Sequence, residues 1–313
     1  MTPIVTDPLT GFEMIYMPQP DDYSGAVRST LVFKKTKHES AKAILYVHGF
    51  SDYFLQKEMA EMFAENGYNF YAVDLRKYGR SLLPGQKMFR VRDLHEYFPD
   101  IDSAIEIMRS HGMREVALLG HSTGGLITSL YMSEKPSPLI KVLMLNSPFL
   151  DWNLPAFMKK AVIPFVSALG RIFPNIKVHQ KPDRGYAETL SAKYGGEWDY
   201  RTDWKPDILP DPDMGWVHAI QTGQQLLRRR KLHVPVLLMH SSESVKKGDD
   251  REKYFRADAI LDVESISRYG RQLGDNVTEV SFAGGLHDLA LSKKEIRGEM
   301  YAVMLEWLGN RLG

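Results

Sequence analysis

The sequence predicts an α/β fold, with a mostly parallel central sheet, helices on both faces and an inserted cap subdomain. Three observations carry this. Short apolar runs of strand length alternate with helix-period stretches over residues 41–150, the rhythm of βαβ units. Between residues 151 and 230 the rhythm stops, and four of the five tryptophans gather there among many prolines. From residue 231 it resumes. The chain therefore divides into an N-terminal core part (1–150), a cap or lid insertion (151–230) and a C-terminal core part (231–313).

Taken in order, Gly11–Met17 and Ala26–Lys34 read as a strand pair joined by the turn-rich PQPDDYSG. Ala43–Val47 (AILYV) is a short buried strand. A helix follows with Leu55, Met59, Met62 and Phe63 on one face and Gly67 as its stop. Tyr68–Leu75 is the next strand. Leu94, Ile101, Ile105 and Met108 mark a helix face that ends near Gly112. Glu115–Leu119 is a strand, with a helix starting just after Ser122, and Lys141–Leu145 is a strand again. After the insertion come strand Val234–His240, a helix around Val263–Leu273, strand Val277–Phe282 and a final helix through Trp307. Alternation of this kind implies parallel strands buried on both faces.

Composition narrows the function classes. The 313 residues are 43% hydrophobic and 25% charged, enough for a large core. A net charge of +1 gives no pull toward nucleic acid or an anionic membrane. With no cysteine, disulfides, thiolate metal sites and a cysteine nucleophile are excluded. The N-terminal residues lack the basic start and apolar run of a secretory signal. The longest apolar stretch, residues 154–173, is broken by Lys159, Lys160, Pro164 and Arg171, so no stable membrane insertion is expected. A cytoplasmic protein is the expectation. The sequence gives no reading of oligomeric state.

The chemistry centres on Gly120–His121–Ser122–Thr123–Gly124, which fits G-x-S-x-G. A nucleophile at a sharp strand-to-helix turn needs neighbours with little side chain, and the helix that follows aims its free N–H groups at the oxygen. Strand-like VALL before Ser122 and helix-forming LITSLYM after it supply that context. In YVHGF (46–50), His48–Gly49 ends an early strand, and the N–H groups of Phe50 and Thr123 are the candidate oxyanion donors. His287, in the glycine-rich loop after the last strand, is the candidate base. Asp288 beside it reads as a cap of the final helix or a holder of the loop. The acid belongs between serine and histidine in chain order. Asp258 in RADAILDV is the choice, with Glu243 and Asp262 as rivals.

These pieces (VHGF, DLRKYGRS at 74–81, GHSTGG, ADAILDV and GGLHDL) resemble the α/β-hydrolase superfamily, in particular its serine aminopeptidase (S33) or monoacylglycerol-lipase-like group, which includes lysophospholipases. The likeness covers residues 41–150 and 231–313. It implies a triad of Ser122, Asp258 and His287, with no metal and no organic cofactor. It also implies that residues 151–230 are the group's variable cap. Two departures stand out. Related sequences read D-x-R-G-x-G-x-S, whereas Lys77 and Tyr78 here precede Gly79, and the acid loop is extended.

The cap bears on substrate. Phe157, Met158, Ile163, Phe165, Val166, Leu169, Ile172 and Phe173 form an apolar segment, read either as a helix face buried on the core or as an acyl-binding wall. Phe157, Phe165 and Trp152 are the substrate-contact candidates. Trp198, Trp204 and Trp216 either line the same cavity or stitch the insertion together. The basic run Arg228–Lys231 reads as a solvated helix end. A small acyl ester is the expected partner. Glu188 and Glu197 leave room for a prolyl-type aminopeptidase on the same triad, and a catalytically dead ligand receptor is the third reading.

Overall fold

The computed structural model describes residues 3–181 and 183–312. Its chain opens with β1 (Ile4–Thr6), β2 (Glu13–Asp22) and β3 (Gly25–Lys34), paired antiparallel. The segment expected as a long turn continues β2 instead, leaving only Tyr23 and Ser24 at the hairpin tip. Pro18 and Pro20 face solvent, while Gln19 points inward and donates to the hydroxyls of Ser29 and Ser103, each at 3.0 Å. An inward amide with two partners holds the ladder together despite the prolines.

Next come β4 (Lys42–Val47), α1 (Lys57–Glu65), β5 (Asn69–Asp74), α2 (Phe98–Ser110), β6 (Glu115–His121), α3 (Thr123–Glu134) and β7 (Ile140–Asn146). Residues 151–230 hold a π-helical turn (Met158–Val162), α4 (Ile163–Gly170), α5 (Gly185–Leu190) and α6 (Met214–Leu227). The chain closes with β8 (Val236–Ser241), α7 (Arg251–Tyr254), α8 (Val263–Gly270), β9 (Val277–Phe282) and α9 (Lys294–Gly309). Leu55, expected on α1, precedes that helix and packs with Leu190 and Leu286.

All nine strands form one sheet in the order β1-β2-β3-β5-β4-β6-β7-β8-β9. From β5 to β9 the neighbours are parallel, and β3 joins β5 antiparallel. The period of two sends side chains to both faces. Leu45, Val47, Leu118, Leu143 and Leu238 pack with Ile105, Leu126 and Ile220 of α2, α3 and α6. Ile44, Tyr46, Leu119, Met144 and Met239 pack with Phe63 of α1 and Met304 of α9. Burial on both faces explains why these strands read as near-continuous apolar runs.

The strand order also locates the site. From β4 the chain goes to β5 on one side and returns to β6 on the other, so the order reverses at β4. A crevice opens outside the carboxyl ends of strands at such a point, and ligands bind there in open α/β sheets. Those ends carry His48–Phe50 and Ser122.

Lys77, at the position where the pattern of the resembling family carries glycine, adopts φ 65°. Its side chain is fully buried and pairs with Asp22, with the Tyr23 ring 4.3 Å from its Nζ. The hairpin tip thus compensates a left-handed backbone conformation that glycine would adopt without strain.

Candidate active site

The site begins at the end of β6. Ser122 has φ 52° and ψ −118°, and α3 starts at the next residue. Such a backbone is strained for a residue with a Cβ, and it persists because its surroundings over-determine it. Ser122 N–H donates to the Asn146 carbonyl of β7 at 3.0 Å, and its own carbonyl accepts from the N–H groups of Gly125, Leu126 and Phe149. Neighbours leave no room for side chains. A Cβ on Gly120 would lie 2.3 Å from Thr128 Oγ1, and one on Gly124 would lie 2.3 Å from the Val47 carbonyl oxygen.

Two side chains meet this serine in series. His287 Nε2 lies 3.0 Å from Ser122 Oγ, and His287 Nδ1 lies 2.9 Å from Asp258 Oδ2. All three residues are buried. Asp258 Oδ1 accepts from the N–H groups of Ile260 and Leu261, both at 2.8 Å, which leaves Oδ2 for the imidazole. Of the three acids weighed from sequence, only Asp258 touches the histidine. Glu243 pairs with Lys253, and Asp262 caps α8 by accepting from Ser265 N–H.

Phe50 and Thr123 line the same cavity as Ser122 and His287, and among the described residues neither backbone N–H donates a hydrogen bond. His48, which the sequence offered only as a strand end, fixes this turn. Its Nδ1 donates to the Gly49 carbonyl at 2.8 Å, and its Nε2 accepts from Leu75 N–H at 3.0 Å.

A buried polar layer lies beneath. Asp288 caps the short helix Leu289–Leu291 by accepting from Ala290 N–H, and not the final helix α9, whose first turn follows Lys293. It also accepts from the side-chain amides of Gln56 (2.8 Å) and Asn146 (2.7 Å), joining the histidine loop to the start of α1 and to β7. Burial works to raise its carboxyl, but His121, the two amides and Lys205 outweigh it and hold Asp288 below the usual carboxylate range. Burial holds His121 below the usual imidazole range. Its Nδ1 donates to the Asn146 carbonyl, and its ring lies 4.9 Å from that of His287. Asp52, His121 and Asp288 offer ligand-type atoms within 4.8 Å of one another. Lys205 and the two amides already engage those carboxylates.

The cavity has a volume of about 400 Å³. Phe149, Trp152, Met158, Ile163, Val166 and Trp216 supply much of its apolar wall. Phe157 and Phe165, expected on that wall, are instead 72% and 64% exposed and are not part of it. The π-helical turn and α4 turn Met158, Ile163 and Val166 inward and leave the two phenylalanines on the opposite face. Trp152 lines the cavity, with its Nε1 donating to Gln221. Trp198 and Trp204 pack beside Tyr53 and Leu55, away from the cavity. Residues Arg228–Lys231 are exposed after α6, with Arg228 paired to Asp151.

The family of serine aminopeptidases, S33 (Hydrolase_4), matches residues 38–289. The chain belongs to this family. Phospholipase YtpA of Bacillus subtilis (strain 168) is 31% identical over 136 residues, 43% of this chain and 50% of that relative. The chain thus spans half the length of the curated relative it matches. A monoglyceride lipase from Saccharomyces cerevisiae, solved as a soluble variant with a substrate analogue, superimposes with TM-score 0.66 at 18% identity, over 93% of this chain and 94% of that one. The monoacylglycerol lipase of Paleococcus ferrophilus gives 0.63 at 22% identity, over 89% and 98%. A carboxyl esterase from Bacillus coagulans, with glycerol bound, gives 0.64 at 14% identity, over 96% and 99%. At these identities the structural likeness establishes the α/β-hydrolase fold, and the S33 match establishes a hydrolase. Among the described residues no helix of this S33 member is long and apolar enough to cross a membrane.

Proposed function

We propose that this S33 hydrolase cleaves carboxylic esters of small acyl compounds through a serine acyl-enzyme, with residues 151–230 acting as the cap over the site. The observation that carries this reading is the unbroken series Ser122 Oγ, His287 and Asp258, linked at 3.0 and 2.9 Å on a strained turn. Ser122 Oγ attacks the acyl carbonyl while His287 Nε2 takes its proton. Asp258 accepts from Nδ1–H, fixing the tautomer and stabilising the imidazolium. The N–H groups of Phe50 and Thr123 receive the developing oxyanion, aided by the positive end of α3. His287 then protonates the leaving alcohol, and water releases the acid by the same steps in reverse. No metal or cofactor takes part in these steps.

The apolar wall favours an acyl chain over a charged amine. Glu188 and Glu197, the residues that left an aminopeptidase open, pair with Arg251 (2.8 Å) and Arg297 (2.5 Å), and neither lines the cavity. The relatives' names (monoglyceride lipase, carboxyl esterase, phospholipase) point the same way. The test is a panel of p-nitrophenyl esters from acetate to dodecanoate run beside prolyl and leucyl p-nitroanilides. Medium-chain esters should be turned over fastest. An aminoacyl anilide that beats every ester would overturn the ester reading.

A further inference from the structure

The extended loop that carries Asp258 runs out from β8 and back. It closes where Asp258 N–H donates to the Glu243 carbonyl and Val245 N–H donates to the Asp258 carbonyl, both at 2.8 Å. On the excursion between stands α7, which packs against α5 of residues 151–230. The Tyr254 ring lies against the backbone of Gly185, the first residue of α5. A Cβ on Gly185 would come within 2.5 Å of Tyr254 Cε1. Arg251 pairs with Glu188 on the same helix. Between these two contacts α5 presents Tyr186 to the histidine. Tyr186 Oη accepts from Asp288 N–H at 3.2 Å, and its ring meets that of His287 at 76° with centroids 5.7 Å apart. The same side chain packs on the apolar cluster that contains Leu286. Burial, with the carboxylates of Asp288, Asp52 and Asp258 nearby, raises the phenol well above its usual range, so it stays a neutral hydroxyl.

We propose that Tyr186 is a positioning residue for the reaction: it holds the peptide between His287 and Asp288 so that Nε2 faces Ser122, and α7 holds Tyr186. The N–H of Asp288 belongs to the planar unit that leaves the His287 Cα. Holding that plane removes the rotation about ψ of His287 through which the imidazole would swing away from the serine. The restraint is needed because the loop before it contains Gly284, at φ 77°, and Gly285. Gln56 and Asn146 hold the side chain of Asp288, whereas Tyr186 holds its backbone. One loop thus grips the base twice. Asp258 meets Nδ1, and α7 acts through Tyr186 one peptide further on. The proposal rests on the reading of Ser122, His287 and Asp258 as a triad.

Its test is Tyr186→Phe, which keeps the ring and deletes the acceptor. With p-nitrophenyl butyrate, kcat should fall about tenfold to a hundredfold, the scale on which small displacements of a reacting group act, while KM stays within about twofold. The rate of inactivation by a fluorophosphonate, which reads the serine and its base without an acyl pocket, should fall by the same factor. Tyr254→Ala, which empties the seat on Gly185, should lower kcat by about threefold to tenfold, and adding it to Tyr186→Phe should lower kcat no further. Wild-type kcat in Tyr186→Phe, or a raised KM at unchanged kcat, would overturn the proposal and leave the triad reading intact. A separate, additive loss from Tyr254→Ala would overturn the role given to α7. A wild type that neither hydrolyses the ester nor takes up the fluorophosphonate would remove the triad reading and the proposal with it. Should Tyr186→Phe fail to fold, Tyr254→Ala decides by the same split between kcat and KM.

Discussion

Asp288 is the residue on which three parts of the site converge. It is buried, and its carboxylate accepts from Gln56, Asn146 and Ala290. In Asp288→Asn one oxygen becomes an NH2 group facing another amide donor, which should destabilise the fold by about 2–3 kcal/mol at pH 7. The folded carboxyl is held below its usual value. Its stabilising contribution is therefore present above the unfolded aspartate range, about pH 4, and is lost as pH falls through the folded value. Urea denaturation at pH 7 and in stronger acid should show the gap between wild type and Asp288→Asn shrinking as pH drops. A gap that stays constant contradicts the account. Ser122, His287 and Asp258 were legible in the sequence because turn chemistry and chain order restrict where they can stand. Lys205 and the second role of Asp288 were not, because their partners lie 153 and 232 residues away with no local pattern to announce them.

At the scale of elements, the close approach of α3 to β4 fixes where the Phe50 and Thr123 N–H groups stand, the oxyanion donors proposed above. A Cβ on Gly124 would meet the Val47 and His48 carbonyl oxygens at 2.3 and 2.4 Å, and those are backbone atoms that yield only if β4 or α3 moves. Gly124→Ala should displace the Phe50 and Thr123 N–H groups and lower kcat by about a hundredfold or more. Stopped assays on folded variant check this, and wild-type kcat would show that the approach is not needed. Strand positions and the α3 start were readable because period and burial agree there. The wall of residues 154–173 was misread for a physical reason. Thirteen of its twenty residues are apolar, so composition does not say which face turns inward, and a π-helical turn shifts the phase by about 100° per added residue. Lys77 shows the converse: its left-handed backbone was hidden by a lysine where glycine was the expected type.

For the whole molecule, the proposed ester chemistry makes the cavity between residues 151–230 and the core the place that selects the acyl group. Val166 is half-buried and lines it. Val166→Trp should shift the fastest p-nitrophenyl ester to a shorter acyl chain, because the larger ring occupies part of a cavity of about 400 Å³. An unchanged chain-length profile would place the acyl group elsewhere. All of this depends on Ser122 being the nucleophile. The direct measurement is the intact mass of protein treated with a fluorophosphonate, followed by peptide mapping. The account predicts one adduct, on Ser122, absent from folded Ser122→Ala. Folded wild type that takes up no adduct, or labelling that persists in Ser122→Ala, would contradict it.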